Sequence, residues 1–498
     1  MKEKKYALYG IGVVLISLIG ISLAYFATQI VGKEKDISVN TKDLRIIFNN
    51  GDAITGENVV AEDNWSMTKT FSVENKSNST YKYNIVIKDL INTFKTTGYL
   101  QYKITSTDGG YNMTSFEDVP KRSTITDTVL AYSVSIDEGT TQNYTITIQY
   151  PNDANIDQSD DMGATLSGKL YISKGSYPTL AEVILRDNPT IKTRTDFSTP
   201  FTETTTGTLF TSTESITGIT STPVNVYYYA GNTTNNWVKF GGLYWRIIRT
   251  NHDGSIRLLY VGTSHDTTTG NIGTSAFNTS SNSPKYVGYK YGEDTSLNTT
   301  RNNTTDSTIK TYIDTWYQNN LLTNYDKYIS KTAIYCNDRS EETEGSYTTS
   351  STIFRFAAYK RLYTGKTPTY NCSDIRDAFS VENTSAQLSY PIALMTADEI
   401  AFAGGVAYKT MNAPYAWFIS NSSGTQVSSY WWSLSPFDWG SSLAFEWSWV
   451  SDRARLSGHG VDSADAVRPA ISLSSCVKVL GTGTSNDPYE VDYESSCK

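Results

Sequence analysis

The residues able to do chemistry in this chain are few and scattered. It holds only three histidines, His252, His265 and His459, and none sits in a local signature of a Ser-His-Asp or Cys-His centre. No HExxH pair, phosphate-cradling glycine loop or EF-hand loop is present. His252 falls inside Asn251-His-Asp-Gly254, a turn sequence, which argues for a solvated side chain. Asp462 and Asp465 could form a carboxylate pair, but acidic residues in such polar stretches are ordinarily just hydrated. The four cysteines, Cys336, Cys372, Cys476 and Cys497, lack CxxC spacing and a nearby histidine, which excludes the usual zinc sites. In an oxidising compartment they would pair as disulfides. Three pairings are open; sequential order is the expectation, because Cys476–Cys497 would clip the chain end onto its domain. The expectation is therefore a protein that is not an enzyme and carries no cofactor or metal.

What remains is recognition. Phe437, Asp438, Trp439, Asp452, Arg453, Arg455, His459 and Asp462 are large or polar groups on predicted loops near the carboxyl end. Tryptophan and arginine are favoured at binding hot spots, and aromatic faces also stack on sugars. These residues, Asp438 apart, are the candidate ligand-binding set, with an extracellular glycan or protein as partner. They must be held up by a frame, and Ala444–Ser451 supplies one. Its alternation puts Phe445, Trp447 and Trp449 on one face of a strand and Glu446 and Ser448 on the other. The following SDRARLSGHGVDSADA has neither period and reads as a surface loop or short hairpin. Arg468 precedes Pro469, which favours extended backbone, and a structural role bonded to a carboxylate or loop carbonyls is expected.

Trp431-Trp-Ser-Leu-Ser-Pro436, the strand after it, a Gly-containing turn and Val467-Arg-Pro-Ala-Ile-Ser-Leu473 carry a resemblance. They are similar to the closing segment of a domain of uncharacterised function common in surface proteins of gut Gram-positive bacteria. That domain is related to the C-type-lectin-like fold shared by formylglycine-generating enzymes and retroelement variable proteins. Trp237-Val-Lys-Phe-Gly-Gly-Leu-Tyr-Trp-Arg-Ile-Ile-Arg249 resembles the same domain's opening, so the likeness covers about the C-terminal half. It implies a mainly antiparallel sheet flanked by two helices, with first and last strands paired. Here those would be the Tyr227 or Trp237 region and Tyr489-Glu-Val491. Formylglycine-generating activity does not carry over, since no cysteine lies in Ala444–Leu473. The calcium-lectin tripeptides Glu-Pro-Asn and Trp-Asn-Asp do not occur either. In retroelement-diversified relatives of the fold, binding residues vary just before the chain end.

The bulk properties agree with export. At 498 residues the chain exceeds one ordinary core. Its net charge of -8 argues against a nucleic-acid partner, which would need a basic stripe. Charged residues make up only 18%, yet 36 Tyr and 10 Trp supply ample core material. Lys2, Lys4 and Lys5 precede an uncharged run from Tyr6 to Val31, a secretory signal or a transmembrane anchor. Ser22-Leu-Ala24 fits cleavage, and Ala24-Tyr-Phe26 resembles the cleavage region of the TasA/camelysin class of exported matrix proteins. The run is long enough to span a bilayer, so a secreted or cell-surface protein anchored at its N-terminus is expected.

From Asp43 to Ser173 strand follows strand, with alternation in Lys69–Glu74, Tyr81–Lys88, Tyr99–Thr105, Leu130–Ile136, Gln142–Gln149 and Leu166–Ile172. This implies an antiparallel sandwich. Phe71-Ser-Val-Glu-Asn75, with the leader, resembles the TasA-like sandwich and implies an architectural role. Thr179–Arg186 is a short helix, and the Thr/Ser-rich stretch from Thr190 to Thr222 reads as linker. Asn251–Gly254 between apolar runs predicts a hairpin, Ser264–Thr305 long surface loops, and Ser307–Leu322 a helix laying Ile309, Ile313 and Trp316 on the sheet. Thr396-Ala-Asp-Glu399 is a capping box for a helix ending at Gly404-Gly405.

The fold class expected is thus mainly β. A leader or anchor spans 1–33, an antiparallel β-sandwich 36–175, a short helix and linker 176–222, and an α+β C-type-lectin-like domain 223–498. The functional expectation is a non-catalytic surface protein that binds an extracellular ligand. The alternatives are a self-associating matrix or fibre subunit and, least favoured, an enzyme of formylglycine-generating type.

Overall fold

The computed structural model describes residues 37–497 except 42–43, 50–63, 78, 162, 201–208, 412–415, 426–429 and 451–454. The expected leader, and candidates Asp452 and Arg453, lie outside the described residues. Among those described, no helix is long and apolar enough to cross a membrane. The chain divides into two compact units between Tyr177 and Pro178.

The first unit is built from strands β1 (Ile37–Thr41), β2 (Leu44–Asn49), β3 (Trp65–Asn75), β4 (Tyr81–Asn92), β5 (Gln101–Ser106), β6 (Glu117–Asp118), β7 (Arg122–Ile136), β8 (Thr141–Tyr150) and β9 (Leu166–Lys174). They form two antiparallel sheets, ordered β1-β2-β3-β8-β5-β6 and β7-β4-β9. Period-two alternation sends Phe71 and Val73, Ile146 and Ile148, and Ile104 inward from one sheet. Tyr83, Ile85, Ile87 and Ile172 meet them from the other in a single core. All six strands expected from alternation are present, as a sandwich. At the end of β3, Asn75 is fully buried. Its Nδ2 lies 2.8 Å from the Ser79 carbonyl and 3.1 Å from that of Ile136, and its Oδ1 accepts from the Ser77 amide at 3.0 Å. One side chain thus satisfies the β3–β4 turn that would otherwise leave buried backbone groups unpaired.

The second unit opens with α1 (Leu180–Arg186), started by a capping box between Thr179 and Glu182. Then follow β10 (Ile191–Thr193), β11 (Leu209–Glu214), β12 (Val224–Tyr229), β13 (Trp237–Phe240), β14 (Leu243–Thr250) and β15 (Ile256–Gly262). The helix and the described β11 part of the Thr/Ser-rich stretch pack into this unit. Leu180, Val183 and Ile184 enter the main core, and β11 pairs in register with β12. β14 and β15 form the expected hairpin around Asn251–Gly254. The region expected as long loops carries three two-residue strands, β16 (Thr274–Ser275), β17 (Lys290–Tyr291) and β18 (Thr305–Asp306), and buries Phe277, Val287 and Tyr289.

α2 (Thr308–Tyr317) is capped by the Ser307 hydroxyl and buries Ile309, Ile313 and Tyr317 at four-residue spacing. It runs on into a π-turn at Gln318–Leu322. The chain continues through β19 (Tyr335–Cys336), β20 (Phe354–Arg355), β21 (Ala378–Phe379) and β22 (Ile392–Leu394). α3 (Ala397–Ala403) begins at the expected Thr396/Glu399 capping box and ends at Gly404. Last come β23 (Trp431–Gly440), β24 (Leu443–Val450), β25 (Arg455–Gly460), β26 (Asp465–Ala466), β27 (Pro469–Leu473), β28 (Val479–Leu480) and β29 (Tyr489–Val491).

Two sheets dominate this unit. In the first, β13 lies between β14 and, in parallel, β29, with Val238 opposite Tyr489. The opening and closing strands pair as expected. β15 continues that sheet through β27 to β22. The second runs β16-β26-β23-β24-β25, with β20 also on β23. β23 and β24 turn through Ser441 and Ser442, at φ 55° and 63°, the positive values a tight type I′ hairpin demands. Disulfides join Cys336 to Cys372 and Cys476 to Cys497, in sequential order.

Candidate ligand-binding platform

The second sheet corrects the placement of the candidate residues. Phe437 and Trp439 belong to β23 and are 6% and 0% exposed, so neither is a loop residue. Trp439 donates its indole N–H to the Ser350 carbonyl at 2.6 Å. The polar stretch after Ser451 is not a loop throughout: Arg455–Gly460 is a strand paired with β24 from Phe445 to Val450. β24 is buried on both faces, since Glu446 and Ser448 are as inaccessible as Trp447 and Trp449. Both Glu446 oxygens are without a hydrogen-bond partner among the described residues. Burial raises its pKa well above the ordinary carboxyl value against the opposing pull of Arg339, so it stands as a neutral acid.

The other candidates are dispersed. His459 is half-buried and places Nδ1 2.8 Å from Asp465 Oδ2. That hydrogen bond raises its pKa above the usual imidazole value, with burial opposing. Asp462 is exposed and accepts from the Ser281 hydroxyl at 3.0 Å. Asp465 is not the hydrated carboxylate expected, because it is buried and engaged by His459 and Ser448. His252 is not the solvated turn residue expected: its side chain is 8% exposed and 3.5 Å from Glu214. Arg468 is structural. Its guanidinium is buried beside Trp431 and donates to the carbonyls of Phe418 and Tyr260, and no carboxylate among the described residues pairs with it.

Around Phe437 the fold does assemble an exposed surface, from residues that sequence spacing did not join. The edge of Phe437 meets Trp447 at 4.7 Å and 84°, which fixes it as the base of a tyrosine cluster. Tyr359 stands on Phe437 at 5.1 Å, Tyr363 on Tyr359 at 5.2 Å, and Tyr408 on Tyr363 at 5.1 Å. Tyr363 is 43% exposed and Tyr408 36%, enough to offer ring faces to solvent. Gly458 permits the packing, because a Cβ there would lie 2.5 Å from Phe437 Cδ1. Cations line the rings: Arg355 is 4.4 Å from the Tyr359 centroid, Arg455 5.2 Å from Tyr408, and Lys366 5.6 Å from Tyr363.

Backbone strain marks the same place. Tyr408 has φ 58° and Lys366 φ 52°, values that cost a side-chain-bearing residue about 1 kcal/mol or more and are concentrated at functional positions. Asp438, opposite Arg355 on the neighbouring strand, is pushed up to about 6 by burial, with Arg355 pulling the other way. Three cations on the rings against this one carboxylate make the described platform positive on a chain whose net charge is -8. Aromatic rings held rigid and flanked by arginines can stack on a ligand's flat or apolar faces while attracting its anionic groups. Of the candidate set only Phe437 and Arg455 contribute among the described residues. The missed members left a faint trace, the four-residue spacing of Tyr359 and Tyr363.

No protein-family model matches the chain, and no curated protein matches it in sequence.

Proposed function

We propose that the chain is an exported, non-catalytic cell-surface protein whose C-terminal unit binds an extracellular ligand, a glycan or a protein, on the tyrosine platform. The N-terminal sandwich serves as its spacer. The observation carrying this reading is the exposed Tyr359/Tyr363/Tyr408 cluster edged by Arg355, Arg455 and Lys366. Local positive charge on an acidic chain favours a ligand with anionic groups. Two disulfides support an oxidising, extracellular setting. The resemblance to a C-type-lectin-like surface domain accords with the pairing of β13 with β29.

The test is a binding screen of the chain without its leader against acidic and neutral glycans and extracellular proteins. Binding at the platform would weaken about tenfold with Tyr363→Ala or Arg455→Ala, since exposed aromatic and arginine anchors carry such contributions, and would fall with added salt. Affinity unchanged by both substitutions would remove the platform as the site.

A further inference from the structure

A second surface, sharing no residue with the platform, runs along α2. It is an open groove of about 750 Å³, within the range of ligand sites. One wall is a single stripe of the helix: Thr308, Thr311, Tyr312, Thr315, Trp316 and, within the π-turn, Asn319. Tyr286 and Tyr291 form the facing wall, edge to face at 5.4 Å. A solvent-facing helix stripe ordinarily carries charges; this one carries hydroxyls, an amide and two rings. The sole charged residue lining the groove, Asp306, is held by Lys310 at 3.1 Å and Lys290 at 3.3 Å, so it presents no free anion.

The lining is rigid before any ligand arrives. Trp316 is braced edge-to-face by Tyr260 at 5.5 Å and Trp245 at 6.3 Å. The Tyr312 hydroxyl donates to the Ile272 carbonyl at 3.1 Å, which fixes its ring. Thr311 and Thr315 donate back to the carbonyls of Ser307 and Thr311, leaving hydroxyl lone pairs free to accept. Rings and fixed acceptors match the alternating apolar faces and hydroxyl edges of sugars, and the Lys285 ammonium beside them is turned onto the Tyr286 and Tyr291 rings, 5.5 Å and 5.8 Å from their centroids. We propose that the α2 groove is a binding site for a neutral glycan chain. Its sugars stack on Trp316, Tyr291 and Tyr286 and donate hydroxyl hydrogen bonds to Thr311 and Thr315.

The experiment is calorimetric titration of the chain without its leader, using neutral oligosaccharides of the gluco, xylo, manno and galacto series and an oligogalacturonate as charged control. At least one neutral series binds, and Tyr291→Ala and Thr315→Lys each weaken it about tenfold or more. Both side chains reach solvent, so neither change empties the core, and an unchanged melting curve verifies this. Tyr363→Ala on the platform leaves neutral-sugar binding intact, which separates this site from the platform. No binding by any neutral series, equal binding of the charged control, or neutral binding indifferent to both groove substitutions overturns the proposal.

Discussion

Glu399 offers the sharpest test of how the second unit holds together. Its Oε1 accepts from Arg249 Nε at 2.8 Å and Arg257 Nη1 at 2.7 Å, while Oε2 accepts the Thr396 amide at 2.9 Å. All three charged side chains are at most 3% exposed. Arg249 has a second partner in Glu214 at 2.8 Å. Among the described residues, Arg257 has only the Ile334 carbonyl and the Tyr335 ring besides Glu399. Glu399→Gln keeps the shape and can keep the cap, but leaves Arg257 as an uncompensated buried cation. Breaking such a pair costs about 3–5 kcal/mol. Retained hydrogen bonding puts the expectation at the low end, about 3 kcal/mol, or roughly a 6 °C fall in Tm for a unit this large.

Nine of the ten tryptophans, all but Trp65, lie in this unit, so indole fluorescence on denaturation reports it selectively. Adding Arg257→Met to Glu399→Gln restores local neutrality and should regain more than half of the loss. Acidity supplies a second readout. Burial raises both acids, but Arg249 and His252 outweigh it at Glu214, holding it at about 2. Arg257 and Arg249 likewise hold Glu399 below its ordinary value. Depressed folded-state pKa values contribute stability that is present above the unfolded value near 4.5 and lost as pH falls towards 2. Glu399→Gln should flatten that loss. A variant within 1 kcal/mol of the parent, or a double variant no better than the single, would mean that Arg257 does not depend on Glu399 for its compensation.

Two acids of the second sheet carry the opposite sign. Asp438 and Glu446 have raised values, so the folded state binds more protons and stability declines as pH rises, between about 4 and 6 for Asp438. Asp438→Asn should raise Tm at pH 7 and reduce that slope, as read by melts across the window. Glu446→Met removes two unpaired oxygens and should stabilise by about 1–3 kcal/mol, measured by urea denaturation. Replacing Ser441-Ser442 with Asn-Gly suits two positive-φ positions and should add about 1 kcal/mol in the same assay. Cys476→Ser with Cys497→Ser opens a loop of sequence separation 21 and should cost about 3 kcal/mol, with the tail becoming a site of early proteolysis.

Alternation exposed the sandwich because strands such as β3 and β8 have one buried and one wet face. The Asn251–Gly254 hairpin and the Thr396–Glu399 cap were equally legible, since both depend on neighbours in sequence. β23 and β25 were not. β23 is buried on both faces and contains a proline, so it shows no period. β25 is polar and carries Gly458 and Gly460, which imitate a loop although Gly458 answers to the ring of Phe437. The Thr/Ser-rich β11 hides for a related reason: its inward Leu209 and Glu214 meet a core and a buried arginine supplied from elsewhere. The platform unites Tyr359, Tyr408 and Phe437 from three separate segments, and no local rule links them.

Closure of the first sheet sets a schedule for the molecule's making. Lys239 and Glu490, on the two strands that seal it, are 251 residues apart. At ordinary rates of synthesis the earlier strand is out for roughly 10–50 s before its mate exists. The second unit must therefore mature only once its tail has been made, with an unfinished edge waiting in the meantime, and agents that hold chains open during that interval would govern its yield.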